Sequence, residues 1–309
     1  MRILSIAKIA LLAIILFALS GCSIKKVAIN KVGDALAESG TTFASDNDLE
    51  LIKDALPFSL KLMESILAQS PKHRGLLLAT SSGFTQYGYA FIKEDADELE
   101  SQDFERAAKL RARARLIFLR ARDYGVRGLE TAHPNFKAAL DKDPVAALKQ
   151  AKKDDVPLLY WTAAAWGLAI SLSKNEPGLI ADQPIVEALA DRALALQENF
   201  DNGAIHSFLI SYETSRQGAE GDPFARSRKH FDRAIELSGG FMAGPFVSFV
   251  ESVSIAKQDR AEFKLLLEKA LAINVNAKPE FRLANLVAQH RARWLLSRID
   301  ELFFGPVYE

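Results

Sequence analysis

Arg192-Ala193-Leu194-Ala195-Leu196 returns, slightly altered, as Arg233-Ala234-Ile235-Glu236-Leu237 and again as Lys269-Ala270-Leu271-Ala272-Ile273. The copies start 41 and 36 residues apart. Each sets a cation beside a small residue and apolar neighbours at the end of a helical pattern, and each precedes a turn and a new helix start. Outward from these segments the apolar spacing stays helical, and no run of β-branched alternation marks a strand. The pattern predicts helices over 48–69 (bent or interrupted at Pro57), 72–93, 102–131, 156–173, 182–198, 202–217, 223–238, 241–257, 259–273 and 279–303. Ser70-Pro71, Asp143-Pro144 and Asp222-Pro223 each put a side-chain acceptor ahead of a proline, as suits an N-cap and first helical position. Ser45 with Asp48, and Asp259 with Glu262, have capping-box spacing.

A small residue in an apolar seam, repeated at this interval, resembles the second helix of a tetratricopeptide repeat. The period drifts from about 34 residues and the full signature is absent, so the repeats are degenerate. The expected fold is all-α: stacked antiparallel helix pairs forming an α-solenoid, with residues 22–309 as one helical-repeat domain. The segment 102–131 shows the packing logic. Leu110, Ala114, Ile117, Ala121, Gly125 and Gly128 share one face, small enough for a neighbouring helix to come close. Arg106, Arg113, Arg120 and Arg127 flank it on one side, Arg111, Arg115 and Arg122 on the other, and their stems can cover the seam. Arginines so placed read as a solvated or ion-paired flank rather than an RNA-binding surface.

The first residues set the compartment. Arg2 and Lys8 accompany an apolar run, Ile9 to Leu19, too short to span a bilayer; Ser20-Gly21-Cys22 follows. The order resembles a bacterial lipoprotein signal: residues 1–21 removed, Cys22 acylated and anchored to a membrane, and a short tether over Ser23 to Lys26. Ser23 is not the aspartate that commonly holds lipoproteins at an inner membrane, which favours the outer one. Cys22 is the only cysteine, so its acylation leaves no thiol for a disulfide or a metal. Losing Arg2 and Lys8 turns 39 basic against 39 acidic residues into 37 against 39, a balance that attracts neither nucleic acid nor an anionic surface.

Two stretches avoid charge. Gly75 to Ile92 and Val156 to Ser173 each run 18 residues without an acid or base, in a chain that is 25% charged. Polar Thr80, Ser81, Ser82, Thr85 and Gln86 in the first, and Pro157 and small residues in the second, argue against membrane spans. Helices of this kind are buried on most sides or line an internal cleft. Both are aromatic-rich, and apolar walls with a few oriented hydroxyl or indole N–H groups suit a mostly apolar ligand. The candidate ligand-binding residues are Tyr87, Tyr124, Tyr160, Trp161 and Trp166; the competing assignment for each is core packing.

Catalytic signatures are missing. GxGxxG, a Walker glycine loop, HExxH and GxSxG do not occur. His73, His133, His206, His230 and His290 are scattered, and His206 reads as a packing residue. Ser171 to Lys174 matches SxxK without its partner motifs, and Asp46-Asn47-Asp48 and Asp141-Lys142-Asp143 lack the rest of a calcium loop. The expectation is no enzyme, no cofactor and no metal. A hydrolase would need two carboxylates, or a nucleophile and base, converging in a cavity.

Several blocks together resemble one family. They are Asp54-Ala55-Leu56-Pro57-Phe58, Leu76-Leu77-Leu78-Ala79, Gly83-Phe84-Thr85 and Arg120-Ala121-Arg122-Asp123-Tyr124-Gly125. Asp155-Val156-Pro157-Leu158-Leu159-Tyr160-Trp161, Ala165-Trp166-Gly167 and Arg291-Ala292-Arg293-Trp294 complete the set. The whole mature chain resembles the T component (TatT) of tetratricopeptide-repeat-associated TRAP transporters, a periplasmic lipoprotein family. The resemblance implies cryptic helical repeats, no catalysis, a TRAP solute-binding (P) subunit as partner, a hydrophobic pore or cleft, and a homotrimer. The expected function is a transport accessory that docks the solute-binding subunit and binds or passes a hydrophobic or amphipathic organic ligand. The alternative is a tetratricopeptide-like scaffold lipoprotein in envelope assembly, with a peptide groove in place of a small-molecule cavity.

Overall fold

The computed structural model describes residues 26–304 except Lys174 and Gln217. The expected signal peptide and Cys22 lie outside the described residues. The described residues begin with helix α1 (26–38), so Lys26, expected in a tether, is already helical. There follow α2 (Gly40–Ala44), α3 (Leu49–Gln69), α4 (Arg74–Gly88), α5 (Glu94–Leu99), α6 (Phe104–Glu130), α7 (Phe136–Lys142), α8 (Pro144–Leu148) and α9 (Val156–Ser171). The second half holds α10 (Pro177–Ile180), α11 (Gln183–Leu196), α12 (Ala204–Tyr212), α13 (Pro223–Leu237), α14 (Gly244–Phe249), α15 (Arg260–Ala272), α16 (Arg282–Ser297) and α17 (Ile299–Leu302). No strand occurs among the described residues, and no helix there is long and apolar enough to cross a membrane.

The long helices fall where the apolar periodicity puts them; the differences are local. Helix α3 passes through Pro57 unbroken. Ser70 ends α3 instead of capping α4, and its hydroxyl bonds Asn30 Oδ1 at 2.6 Å. The α4 cap is His73, whose Nδ1 accepts from Leu76 N at 3.2 Å. Asp48 alone caps α3, accepting from Leu51 N, without help from Ser45. Asp143 and Asp222 cap their helices as expected. Asp259 accepts from Glu262 N, but the Glu262 carboxylate turns away to Arg228 and Ser254, so the capping box is half made. Two expected helices contain a π-turn: Tyr89–Lys93 joins α4 to α5, and Val250–Ser254 extends α14.

The helices pack as antiparallel pairs: α4 with α6, α9 with α11, α12 with α13, and α14 with α15, closed by α16. The three repeated segments end α11, α13 and α15, the outer helix of successive pairs. Their alanines, Ala193, Ala234 and Ala270, are fully buried, so the repeat marks where each outer helix presses on its inner partner. Three core clusters result, and α9 and α12 each contribute to two of them. Helix α6 docks through its small face as expected: a Cβ on Gly128 would strike Leu158 of α9, and one on Gly88 of α4 would strike Phe118 of α6. Its arginines are paired at the flanks, Arg111 with Asp97 and Glu100, Arg115 with Glu176, and Arg120 with Glu64.

Asp155 ties the start of α9 to its surroundings. Its buried carboxylate accepts from Arg74 Nη2 (2.6 Å), His133 Nε2 (2.9 Å) and Lys152 N (2.8 Å). Burial pushes its pKa up, but these donors outweigh burial and hold it below the usual carboxylate value. The stability it contributes is present above the unfolded pKa and disappears as pH falls through the folded one. Asp155→Ala is therefore expected to cost about 2–3 kcal/mol near neutral pH, a penalty that shrinks in acid, as read from urea midpoints.

The solenoid curls until its ends meet. Arg282 Nη1 of α16 donates to Ser45 O at 2.7 Å, His290 reaches Glu98 at 2.9 Å, and Arg291 reaches Asp97 at 3.1 Å. Inner helices α4, α9, α12, α14 and α16 then stand around one central space.

Candidate functional site: a central cavity with an aromatic wall and a charged patch

The central space is a cavity of about 1060 Å³, lined by residues from all five inner helices, by α3, and by the turn from α1 into α2. That volume lies just above the ~300–1,000 Å³ typical of small-molecule sites. Both uncharged stretches line it. This accords with their composition: an acid or base pointing into a mostly apolar space would be desolvated without a partner.

One part of the wall is aromatic. Tyr160 packs edge-on to Trp161 (4.9 Å between ring centres) and against Phe200 (5.5 Å), while Phe208 stacks on Tyr212 (5.2 Å). All five line the cavity. Gly167 leaves room for Phe208, whose ring would lie 3.3 Å from any Cβ added there. Burial pushes the Tyr160 hydroxyl well above its usual pKa, so it is a neutral donor at physiological pH.

Of the five residues picked from the sequence, the structure brings Tyr160 and Trp161 together in this wall and places the other three elsewhere. Tyr87 is buried beside α6, where its hydroxyl accepts from Arg113 Nη2 at 3.3 Å. Tyr124, on α6, stacks on Phe84 and donates to Glu64 Oε1 at 2.8 Å. Trp166 is fully buried, its indole N–H donating to Asp182 Oδ2 at 3.2 Å, with the Arg122 guanidinium over its ring. Each has its polar atom satisfied away from the cavity lining, which accords with core packing.

A second part of the wall carries charge, and sequence reasoning missed it. It is made where the two π-turns meet α16. A π-turn inserts one residue and rotates the side chains that follow, a device that recurs at functional sites. Tyr89 and Lys93 come from the first π-turn, Glu94 from the start of α5, Glu251 from the second π-turn and Arg291 from α16. Arg291 is buried, its Nε and Nη2 donating to Glu251 Oε1 at 2.9 and 2.6 Å and its guanidinium lying 4.2 Å from the Trp294 ring centre. Its Nη1 has no partner among the described residues. Burial works against the Arg291 charge, but Glu251 and Asp97 more than offset it. Asp97 is buried too; Lys93, Arg291 and Arg111 overcome that burial and hold its carboxyl below the usual range.

Glu94 is the exception in this patch. It is 3% exposed, and no hydrogen bond or ion pair reaches its carboxyl from the described residues. Burial pushes it up to about 8, with Glu251 adding to the rise and Arg291 and Lys93 offsetting part of it. Near neutral pH the site therefore presents a protonated carboxyl. The only sequence signal for this patch is a run of acids, Glu94-Asp95-Ala96-Asp97-Glu98, which reads as a solvated helix start because its α16 partners, His290 and Arg291, lie almost 200 residues away.

The fold also joins two histidines that the sequence leaves apart. His206 Nδ1 and His230 Nδ1 lie 2.8 Å from each other, with burial lowering the pKa of both. At this distance one ring donates and the other accepts, so at least one of the two is neutral.

Residues 45–303 match the profile of the TAtT family, described as the TRAP transporter T-component. A protein of Treponema pallidum (strain Nichols), described as uncharacterized, is similar throughout: 26% identical over 302 residues, covering 92% of this chain and 94% of the relative.

Proposed function

The chain belongs to the TRAP transporter T-component family, and on that premise we propose that it docks the solute-binding subunit of a TRAP transporter and holds or passes a hydrophobic or amphipathic organic ligand. In this reading it is exported, carries lipid on Cys22, faces the periplasm from a membrane (the outer one by the residue after Cys22), and works without catalysis, as a homotrimer. The family supplies the accessory role in transport. The observation that carries the ligand is the cavity, a space of about 1060 Å³ with Tyr160, Trp161, Phe200 and Phe208 in its wall. Those rings offer apolar surface, and the buried hydroxyls can orient a ligand without reacting with it.

The two other readings fit less well. An envelope scaffold that binds peptide segments needs an open groove, whereas contacts from α16 to Ser45, Asp97 and Glu98 draw the ends of this solenoid together. A hydrolase needs converging carboxylates, and Glu94 and Glu251 both line the cavity. Glu251 is held by two hydrogen bonds from Arg291, which lowers its value as a nucleophile or base, so we read the pair as part of a binding wall.

Ser82 of α4 and Ser207 of α12 line the cavity and are partly buried, so tryptophan at both fills space rather than core. Purified wild type is expected to carry a lipid-like molecule in native mass spectrometry, and Ser82→Trp/Ser207→Trp to lose it while still crosslinking to the solute-binding subunit in native membranes. A double variant that keeps the ligand sinks the cavity assignment. Failure of wild type to crosslink to any solute-binding protein sinks the docking assignment.

A further inference from the structure

We infer that the charged patch of the cavity wall is a headgroup subsite for a cationic amine: the protonated amine of an amphiphile pairs with the Glu94 carboxylate while its chain lies along the aromatic wall. The inference deepens the proposed function and rests on its cavity.

Glu94 is almost completely buried, faces the cavity and has no partner among the described residues. Every cation nearby already has an acidic partner, with Arg291 Nη1 the one N–H group of these cations left buried and unpaired among the described residues. Lys93 and Arg111 bind Asp97, and Arg111 also binds Glu100. Arg291 binds Glu251 and Asp97. On the far side of Glu94 is a smaller pocket of about 70 Å³, which shares Ala90, Phe91 and Val287 with the main cavity. The charges there are matched too: Lys53 binds Asp95 at 2.9 Å, His290 binds Glu98, and Glu50 is exposed to solvent. Glu94 is therefore the one buried carboxyl of the cavity wall without a counter-charge among the described residues; Asp201 and Glu280 also lack one but are exposed to solvent.

The balance of the wall points the same way. Glu94, Asp201, Glu251 and Glu280 line the cavity against Lys93 and Arg291. A carboxylate-headed ligand would find only Arg291 Nη1 unpaired, on a guanidinium already shared by Glu251 and Asp97, and would bring a further negative charge beside Glu94 and Glu251. An amine displaces nothing but a proton. The Tyr89 hydroxyl, held neutral by burial and by the nearby Glu251 and Glu94 carboxyls, remains to accept a second hydrogen bond from it.

The exchange is balanced: R–NH3⁺ enters, the Glu94 carboxyl releases its proton to solvent, and an ammonium–carboxylate pair remains. With the free carboxyl at about 8, affinity for the amine rises with pH up to that value and holds until the amine itself loses its proton, at ~10. Short probes soluble as monomers test this with the purified full chain: octylamine, octan-1-ol and octanoate, titrated calorimetrically at about pH 6 and about pH 9 in buffers of different ionisation enthalpy. At about pH 9 octylamine is expected to bind ~10-fold or more tighter than octan-1-ol, and octanoate to bind weakest. Octylamine affinity should fall roughly 100-fold by about pH 6, with about one proton released per molecule bound there. Glu94→Gln should erase both the preference and the pH dependence and leave octan-1-ol unaffected. If octan-1-ol binds and octylamine binds no tighter, or octanoate binds tightest, the headgroup assignment is overturned and the cavity stands. If no probe binds, the cavity reading falls and takes the headgroup with it.

Discussion

Glu94→Gln is expected to raise the stability of the ligand-free protein by several kcal/mol above about pH 8 and to change it little below about pH 4.5. A carboxyl with an ordinary pKa of 4.5, held at about 8 in the fold, is protonated when folded and ionised when unfolded across that interval. The folded state then binds more protons, so stability falls as pH rises from about 4.5 to about 8, and the full penalty persists above that. The size follows from the cost of ionising a carboxyl in an unpaired, desolvated position, on the order of 3–5 kcal/mol. Glutamine keeps the shape and cannot ionise, so its profile lacks this slope. Urea midpoints of both proteins at about pH 4.5 and about pH 9 should converge in acid and separate in base. Parallel profiles would show that Glu94 finds a counter-charge in solution.

The second large effect concerns the seam of α4, α6 and α9. A Cβ at Gly125 would overlap Thr162 Oγ1 of α9 and lie 3.1 Å from Ser81 Oγ of α4. Neither hydroxyl can retreat: both side chains are fully buried, Ser81 donates to Ala121 O at 2.8 Å, and Thr162 to Leu158 O at 2.6 Å. Gly125→Val therefore adds three carbons where none fit and breaks buried hydrogen bonds as the helices part, at a cost of about 4 kcal/mol. Because α9 carries Tyr160 and Trp161, its displacement should also weaken ligand retention. Gly178→Ala is the control: nothing lies within 4 Å of its added Cβ, and its effect should stay within about 0.5 kcal/mol. Equal denaturation midpoints for wild type and Gly125→Val would refute the close approach.

Legibility followed the range of the forces involved. Helix periodicity and caps are local, so α3, α6, α9, α11, α13 and α15 could be read to within a few residues. Short helices such as α7, α8 and α10 carry too few turns to show a period and are held by their neighbours. The π-turns were invisible because they change the hydrogen-bonding partner by one residue without changing composition. The uncharged stretches read as interior, but a helix without charge has no charged stripe to show which side meets a cavity and which meets another helix. Composition therefore groups Tyr87, Tyr124 and Trp166 with Tyr160 and Trp161, whereas the fold satisfies their polar atoms through Arg113, Glu64 and Asp182.

The sequence alone determined that this chain is helical, that its outer helices press small residues against inner partners at Ala193, Ala234 and Ala270, and that two of its helices exclude charge. It also carried the family, through blocks spread from Asp54 to Trp294. Tertiary structure alone decided that the solenoid curls until α16 reaches residues near the start of the chain, and that curvature makes the cavity. Arg282 and Ser45 meet across 237 positions, Arg291 and Asp97 across 194. Contacts of that span depend on small angles between successive helix pairs added around the ring, and no local pattern records their sum. The same closure turns Glu94, one acid among several in the sequence, into a buried carboxyl facing an apolar space.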